Sequence, residues 1–147
     1  MRLDDDECRR RLNAARHGYL ATADGDGVPH AVPVTFALLA SGGADEIVTA
    51  VDHKPKTTTA LKRLRNLAAN RRAAVLVDSY DDDWSRLWWV RADGAATVGG
   101  SVAARERALD ALAVKYPQYR DHRPDGPVFR VHVERWSGWA SSGETAA

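Results

Sequence analysis

The residues best suited to chemistry lie in positions 50–58, where an apolar run is followed by a short cationic segment and then by threonines. This order predicts the end of a strand, a turn and the start of a helix. Free backbone N–H groups and the positive end of the helix dipole make such a helix start suitable for phosphate. Lys54 and Lys56 add positive charge, and Thr57 or Thr58 can donate hydroxyl hydrogen bonds. We favour a phosphate site over the alternative, an ordinary capped surface helix.

A second unusual stretch is residues 83–91, which hold three tryptophans within six residues and two arginines. Trp88 and Trp89 are adjacent, so they must point to opposite faces of a strand. One of them is expected to pack inside the protein. The other either covers a planar ligand or lies in a subunit interface, where tryptophan and arginine are enriched. For each tryptophan taken alone, core or interface packing is an equally good explanation.

The distribution of charge favours a compact anionic ligand. The net charge is only +1, yet residues 53–72 carry seven basic side chains and no acidic one: Lys54, Lys56, Lys62, Arg63, Arg65, Arg71 and Arg72. A neutral protein with one concentrated basic stretch suits a small anion better than long nucleic acid. We therefore expect no nucleic-acid partner, although a solvated helix face would give the same pattern.

The composition argues against several other classes of protein. A chain of 147 residues with 44% hydrophobic residues has the size of one domain, which we expect to span residues 1–147. The one cysteine, Cys8, excludes a disulfide framework, and five scattered histidines lack the spacing of a metal site. No apolar run reaches the roughly 20 residues that span a bilayer, and the acidic first residues are wrong for a targeting peptide. We expect a soluble cytoplasmic protein with no bound metal and no membrane partner.

The chemistry must be positioned by a chain that alternates helices with short strands. Hydrophobic spacing predicts helices over residues 3–16 and 101–116 and another that starts near Pro55. Strands are predicted over residues 19–23, 28–39, 46–51, 73–78 and 128–136, and residues 86–98 form either one long strand or a hairpin around Asp93 and Gly94. Residues 117–127 are expected to be irregular and residues 140–147 frayed. Tight turns between neighbouring strands indicate antiparallel pairing, and about six short strands in this length curl most naturally into a small barrel.

Six segments together resemble a known superfamily. They are residues 18–22, 32–36, 52–57, 67–72, 83–91 and 136–139. The chain resembles the FMN-binding split-barrel superfamily related to pyridoxamine 5′-phosphate oxidase, and within it the actinobacterial branch of probable coenzyme F420-dependent enzymes. The resemblance covers nearly the whole chain. It implies a mainly β fold, a six-stranded antiparallel split β-barrel with flanking helices, and a homodimer with the cofactor in a groove between subunits.

The resemblance also implies a function. An F420-dependent oxidoreductase would transfer a hydride to a small conjugated organic acceptor, and an FMN-dependent oxidase or reductase or a non-catalytic cofactor-binding protein are the alternatives. Two departures bear on this choice: Arg71 stands where a proline is usual, and the strand-two arginine of the classical oxidases is absent near Val34 and Thr35. The second departure argues against pyridoxamine phosphate oxidation and for the deazaflavin branch.

In similar proteins the cofactor phosphate is held after the third strand and on the following helix. The matching positions here are Lys54, Lys56 and Thr57, with His53 adjoining them, or else Lys62 and Arg63 if the helix is aligned by its Leu-x-x-Asn end. Main chain of Val34 and Thr35 would line the ring, and Trp88 or Trp89 would form a wall beside it. No catalytic residue is assigned, because Tyr80 and His53 are candidate general acids by residue type only.

Overall fold

The computed structural model describes residues 1–41, 43–51 and 58–141, with backbone only at positions 41, 58–61 and 63. The helices are α1 (Asp5–Ala14), α2 (Thr58–Ala69), α3 (Val102–Lys115) and α4 (Gln118–Asp121), and a 3-10 turn covers Trp84–Arg86. The strands are β1 (Gly18–Ala23), β2 (Pro29–Val34), β3 (Ala37–Ser41), β4 (Ala44–Ala50), β5 (Arg72–Ser79), β6 (Trp88–Val98) and β7 (Val128–Ala140). Among the described helices, none is both long and apolar enough to cross a membrane.

The strands form one antiparallel sheet in the order β2-β1-β5-β6-β7-β4-β3. Its two edge strands, β2 and β3, follow each other in the chain with only Thr35 and Phe36 between them. Because such a link spans at most about 11 Å between the flanking Cα atoms, the two edges meet at this point and the sheet must curl on itself. The mainly β, antiparallel fold with flanking helices is therefore confirmed. The sheet has seven strands where six were expected, and it is open, since no ladder joins β2 to β3 among the described residues. We call this curled, open sheet the barrel.

The additional strand arises because residues 28–39, expected to form one strand, are divided at Thr35–Phe36. Here the backbone leaves the ladder and bonds to side chains instead. The Phe36 N–H donates to the Tyr116 hydroxyl at 3.1 Å, and the Thr35 carbonyl accepts from Thr49 Oγ1 at 2.7 Å. The Phe36 ring is fully buried. These contacts satisfy the polar groups at the corner and hold the turn between β2 and β3.

Two other expectations are refined. Of the two alternatives for residues 86–98, the structure has one long strand, with a register irregularity between Asp93 and Gly94. Glycine is required there, since a Cβ at position 94 would overlap the carbonyl oxygen of His132. The segment 117–127, expected to be irregular, includes the short helix α4. Most of the segment expected to fray, residues 142–147, lies outside the described residues.

The barrel interior forms the main core. Side chains from α1 and α2 pack with the inner face of the sheet, and this cluster contains Cys8, Leu12 and Leu67. A second cluster lies on the outer face, where α3 packs against β3 and β4. Cys8 is fully buried and burial raises the pKa of its thiol. Cys8 is thus a core residue, as its position on the helical stripe predicted.

Asp45 at the start of β4 ties three elements together. Its Oδ2 accepts hydrogen bonds from Arg9 Nε of α1 at 2.9 Å and from Trp136 Nε1 of β7 at 3.0 Å. Burial raises the pKa of Asp45, but the hydrogen bonds from Arg9 and Trp136 outweigh burial, so the pKa lies below its ordinary value. The carboxylate therefore stabilises the packing of α1 across the barrel.

Asp45→Ala is expected to lower the free energy of unfolding by about 2–3 kcal/mol, because two donors lose a charged acceptor. The parent has this stability above pH 3.8, the ordinary pKa, and loses it as pH falls through the lower folded pKa, a loss that the variant lacks. Urea denaturation at pH 7 and pH 3 measures both effects. Asp6→Ala is the control, because Asp6 contacts the same Arg9 but is 96% exposed. An equal effect of both substitutions would contradict the role given to Asp45.

Candidate functional site

The corner between β2 and β3 brings together two predicted parts of the site. The Val34 side chain is buried in the barrel, whereas Thr35 is half-buried and its Oγ1 lies 2.8 Å from the Tyr119 hydroxyl. The Thr35 carbonyl is bonded to Thr49, one residue before the end of β4. The chain therefore leaves β4 towards the cationic segment from a point beside Thr35.

The cationic segment itself, with the predicted residues His53, Lys54, Lys56 and Thr57, lies outside the described residues. The elements on its two sides are described. They are β4 and α2, the strand and the helix that the sequence predicted there. The residues proposed to bind phosphate from this segment stay predictions.

The alternative phosphate positions lie on α2. Lys62 is partly exposed, and the backbone of Arg63 is helical. Lys62 is four residues before Asn66, so the two share one helix face. Asn66 Nδ2 donates to Thr22 Oγ1 of β1 at 3.1 Å, and both side chains are buried. This bond fixes α2 over one end of the barrel and sets the position of Lys62.

A further polar group lies beside that bond. His30 of β2 is directly opposite Thr22 in the antiparallel register, and its Nδ1 is buried without a hydrogen-bond partner among the described residues. The region under α2 thus brings together the Asn66 amide, the Thr22 hydroxyl and the His30 imidazole nitrogen, and Lys62 lies one helical turn before Asn66. Such a donor set fits an anionic group, and the residues present are compatible with a phosphorylated cofactor.

Trp88 and Trp89 point to opposite faces of β6, as predicted. Trp88 packs against the interior core, and the Arg11 guanidinium lies 5.1 Å from its ring centroid. Trp89 points outwards, with Arg91 5.8 Å from its ring centroid. In the register of β5 with β6, Trp88 pairs with Ser79 at the end remote from α2. Within one chain the structure therefore does not bring Trp88 together with Lys62.

Three side chains near the end of α3 surround the corner and were not assigned to a site from the sequence. The Tyr116 hydroxyl accepts from the Phe36 N–H and donates to the Arg16 carbonyl at 2.9 Å, and burial raises its pKa. Tyr119 bonds to Thr35 Oγ1. Lys115 Nζ lies 3.8 Å from the Phe36 ring centroid. The signal in the sequence was the pair of tyrosines on either side of the proline that ends the helix.

The architecture matches a known family. The family described as pyridoxamine 5′-phosphate oxidase matches this sequence over residues 4–140, which is nearly the whole chain. The chain belongs to the pyridoxamine 5′-phosphate oxidase family. No curated protein matches the sequence.

Solved structures of similar fold come from several bacteria. The conserved hypothetical protein Rv2991 of Mycobacterium tuberculosis is 21% identical, with a TM-score of 0.71 over 99% of this chain and 92% of that one. A FAD-binding protein of Mesorhizobium loti, mll6688, is 24% identical, with a TM-score of 0.69 over 94% of this chain and 95% of that one. The FAD-binding protein of Mycobacterium smegmatis is 17% identical, with a TM-score of 0.63 over 95% and 96%. At these identities the likeness is one of fold.

This member of the pyridoxamine 5′-phosphate oxidase family leaves one side of its barrel uncovered. The outer face of β1 and β5 presents Tyr19, Ala21, Ala74 and Leu76, which the register places side by side. Tyr19 and Leu76 are 39% and 36% exposed. No described helix packs over these four residues, which we call the open face.

The buried ammonium of Lys115 makes a prediction about stability. Its Nζ is inaccessible to water and has no hydrogen-bond partner among the described residues, and burial lowers the pKa of Lys115 from 10.5 to about 8. Below pH 8 Lys115 is therefore charged in the folded protein. This buried charge lowers the free energy of unfolding at a cost on the order of 3 kcal/mol, which the contact with the Phe36 ring partly offsets. Between pH 8 and 10.5 the unfolded chain binds more protons than the folded one, so this cost disappears as pH rises.

Lys115→Met is therefore expected to raise the free energy of unfolding at pH 7 by about 1–3 kcal/mol, because a methionine fills the same space without charge. The difference between variant and parent should shrink between pH 8 and pH 10. Chemical denaturation of both proteins across this range measures it. A variant that is less stable at pH 7, or a difference that does not change with pH, would contradict the burial of a charged amine.

Proposed function

We propose that this protein is an oxidoreductase that uses coenzyme F420 to reduce a small conjugated organic acceptor. The observation that carries the proposal is the cationic helix α2, fixed through Asn66 and Thr22 over a barrel end where His30 Nδ1 is buried with no hydrogen-bond partner in the part of the chain that the structure describes. Family membership places the chain among proteins that include oxidoreductases. The basic residues of α2 also suit the acidic polyglutamate tail of F420, which FMN lacks.

The side chains have separate tasks in this proposal. Lys54, Lys56 and Thr57, or Lys62 and Arg63, bind the phosphate and lower the cost of bringing its charge to the barrel. Val34 and Thr35 present main chain to the edge of the ring, and the hydrogen bond from Tyr119 keeps Thr35 in place. When bound, the reduced deazaflavin supplies a hydride, so the protein must orient the acceptor and exclude water rather than perform acid–base chemistry of its own.

A homodimer is part of the same proposal. The open face supports it, because an exposed apolar area on a folded chain is typical of an interaction surface. Trp89 lies next to this face and would join the contact. The small-molecule acceptor would then bind in a groove that both subunits line.

FMN is the second candidate cofactor. What favours it is that two proteins of similar fold, from M. loti and M. smegmatis, bind a flavin, FAD, according to their names. Both candidates carry a phosphate and a tricyclic ring, so the residues above would serve either. The absence of the strand-two arginine near Val34 and Thr35 favours F420.

Titration of the purified protein with F420 is expected to quench tryptophan fluorescence with saturation, and FMN is expected to bind at least tenfold more weakly. The protein should be purified without added flavin. A protein that emerges yellow and releases flavin on denaturation, or that binds FMN and not F420, would contradict the choice of F420. Reduced F420 that binds but is oxidised by no conjugated acceptor would identify a carrier instead of an enzyme.

Two substitutions separate the alternative phosphate positions. Removing one phosphate-binding ammonium is expected to weaken cofactor binding about tenfold, in line with one charge-assisted hydrogen bond. Lys56→Ala should show this loss if the loop holds the phosphate, and Lys62→Ala should show it if α2 does. Arg107→Ala, an exposed cation on α3, is the control and should leave affinity unchanged. Unchanged affinity in both lysine variants would remove the proposed anion site.

A further inference from the structure

Arg130 lies on the outer face of β7, because alternate residues of a strand share a face and its neighbours Phe129 and Val131 belong to the interior core. The register places Arg130 between Val48 of β4 and Thr97 of β6. Val48 is part of the outer cluster under α3, and Arg130 is half-buried. The side chain therefore lies where the outer face of the sheet meets α3.

The guanidinium of Arg130 lacks a partner among the residues that the structure describes. Its Nε is inaccessible to water and donates no hydrogen bond to them, and no ion pair joins it to any of their carboxylates. Arg9, Arg72 and Arg105, by contrast, are each bonded to a carboxylate or a carbonyl. A buried donor without an acceptor is unfavourable, and more so when it is charged. Such a donor in a folded protein is explained by an ion or a water that supplies the acceptor.

The backbone of Gly100 lies directly against this guanidinium. A Cβ at position 100 would lie 2.6 Å from Arg130 Nη2, and the φ of Gly100 is +125°, so both the contact and the backbone favour glycine. The next residue, Ser101, is the N-cap of α3, and the first turn of α3 has no acidic residue. A fixed cation therefore lies beside the positive end of a helix dipole, with no acidic side chain in that turn to compensate.

A hydroxyl and an imidazole extend the group along the same face. Thr97 Oγ1 lies 3.5 Å from His132 Nε2, and His132 Nδ1 lies 3.3 Å from Glu46 Oε2. When His132 carries both ring protons, its Nε2 donates to Thr97 and leaves the hydroxyl hydrogen of Thr97 free for a ligand oxygen. Glu46 then balances the charge of His132, so the charge of Arg130 stays unbalanced. The His132 side chain is 46% exposed, so the group is open to solvent.

A phosphate group matches these donors. The planar fork of a guanidinium can bind two phosphate oxygens at once. A third oxygen remains for the hydroxyl of Thr97, and the start of α3 favours the second negative charge of a phosphate. A carboxylate has two oxygens and one charge, so it would leave the hydroxyl unused. The donor set therefore favours a phosphorylated small molecule over a carboxylic acid.

We propose that Arg130, Thr97 and the backbone at Gly100 bind the phosphate group of a small molecule, at a place that we call the outer anion site. The group under α2, where Asn66 bonds to the buried Thr22, lies on the inner face of the sheet. The outer anion site lies on the opposite face and is built from other elements. It therefore takes a second ligand and does not rest on the proposed function.

Titration with inorganic phosphate, followed by ¹H–¹⁵N NMR, tests the site. Arg130 Nε–H is buried, so its resonance should be protected from exchange, and both this resonance and the Gly100 amide should shift with saturation. Half-saturation is expected at about 1–5 mM, in line with a few charge-assisted hydrogen bonds at a partly exposed site. Sodium chloride at the same ionic strength should shift neither resonance. Equal shifts with chloride, or no shift with phosphate, would overturn the proposal.

Arg130→Gln separates the outer anion site from the proposed cofactor site. It should weaken the phosphate response of the Gly100 amide at least about tenfold, because the charged fork is lost, and should leave the affinity for F420 or FMN within about twofold of the parent. Arg135→Gln, which removes an exposed arginine from the same strand, is the control and should leave the response unchanged. If Lys62→Ala abolishes the response and Arg130→Gln retains it, the phosphate belongs to the cofactor site and the proposal is wrong.

Thermal unfolding distinguishes a ligand-binding arginine from a structural one. Without phosphate, Arg130→Gln should have a Tm equal to or above that of the parent, because a half-buried charge without a partner is removed. Phosphate at 20 mM should raise the Tm of the parent by about 2–5 °C more than that of the variant, since a ligand that binds only the folded state stabilises it. A variant that is clearly less stable without phosphate, or an equal rise in both proteins, would contradict the proposal.

Discussion

The two-residue link between β2 and β3 is the constraint on which the rest of the structure depends. The strands at the two edges of a seven-stranded sheet are consecutive in the chain, so Thr35 and Phe36 force those edges together. Curling of the sheet brings its two edges near each other at the corner without pairing them, and it creates an interior that side chains must fill. The fully buried Phe36 ring fills it at the point of closure. Polar groups that leave the ladder there are satisfied by Thr49 and Tyr116 instead.

Curling of the sheet also divides its surface into parts that helices cover and a part that no described helix covers. The interior is filled by α1, which precedes β1, and by α2, which follows β4, whereas α3 covers the outer side of β3 and β4. The outer side of β1 and β5 receives no described helix. A small barrel with three main helices cannot cover its whole circumference, so the uncovered part is decided by which strand each helix follows. That part carries Tyr19 and Leu76, which are 39% and 36% exposed.

Much of this could be predicted from local pattern. The helix predicted over residues 101–116, the antiparallel pairing, the burial of Cys8 and the opposed directions of Trp88 and Trp89 all follow from residue spacing. The break at Thr35–Phe36 could not be predicted, because residues on both sides have the same strand-like alternation. Its cause is Tyr116, 80 residues further along the chain. Likewise, nothing near His30 in the sequence indicates that its nitrogen is buried opposite Thr22.

The same distinction between local pattern and distant contacts explains why the residues proposed to bind the cofactor are better defined than those proposed to bind the acceptor. Thr35, Thr49 and Tyr119 come from three distant parts of the sequence, yet each is held by a short hydrogen bond between rigid elements. Asn66 fixes α2 in the same way. A ligand anchored there meets a preformed surface with little entropy left to lose. In the proposed function the acceptor must instead lie against whatever covers the open side of the ring, and Trp88, one of the walls expected there, lies at the end of β6 remote from α2. Substitutions on the proposed acceptor side would then change which acceptor fits while the proposed phosphate contacts stay the same, because the two sides are built from different elements.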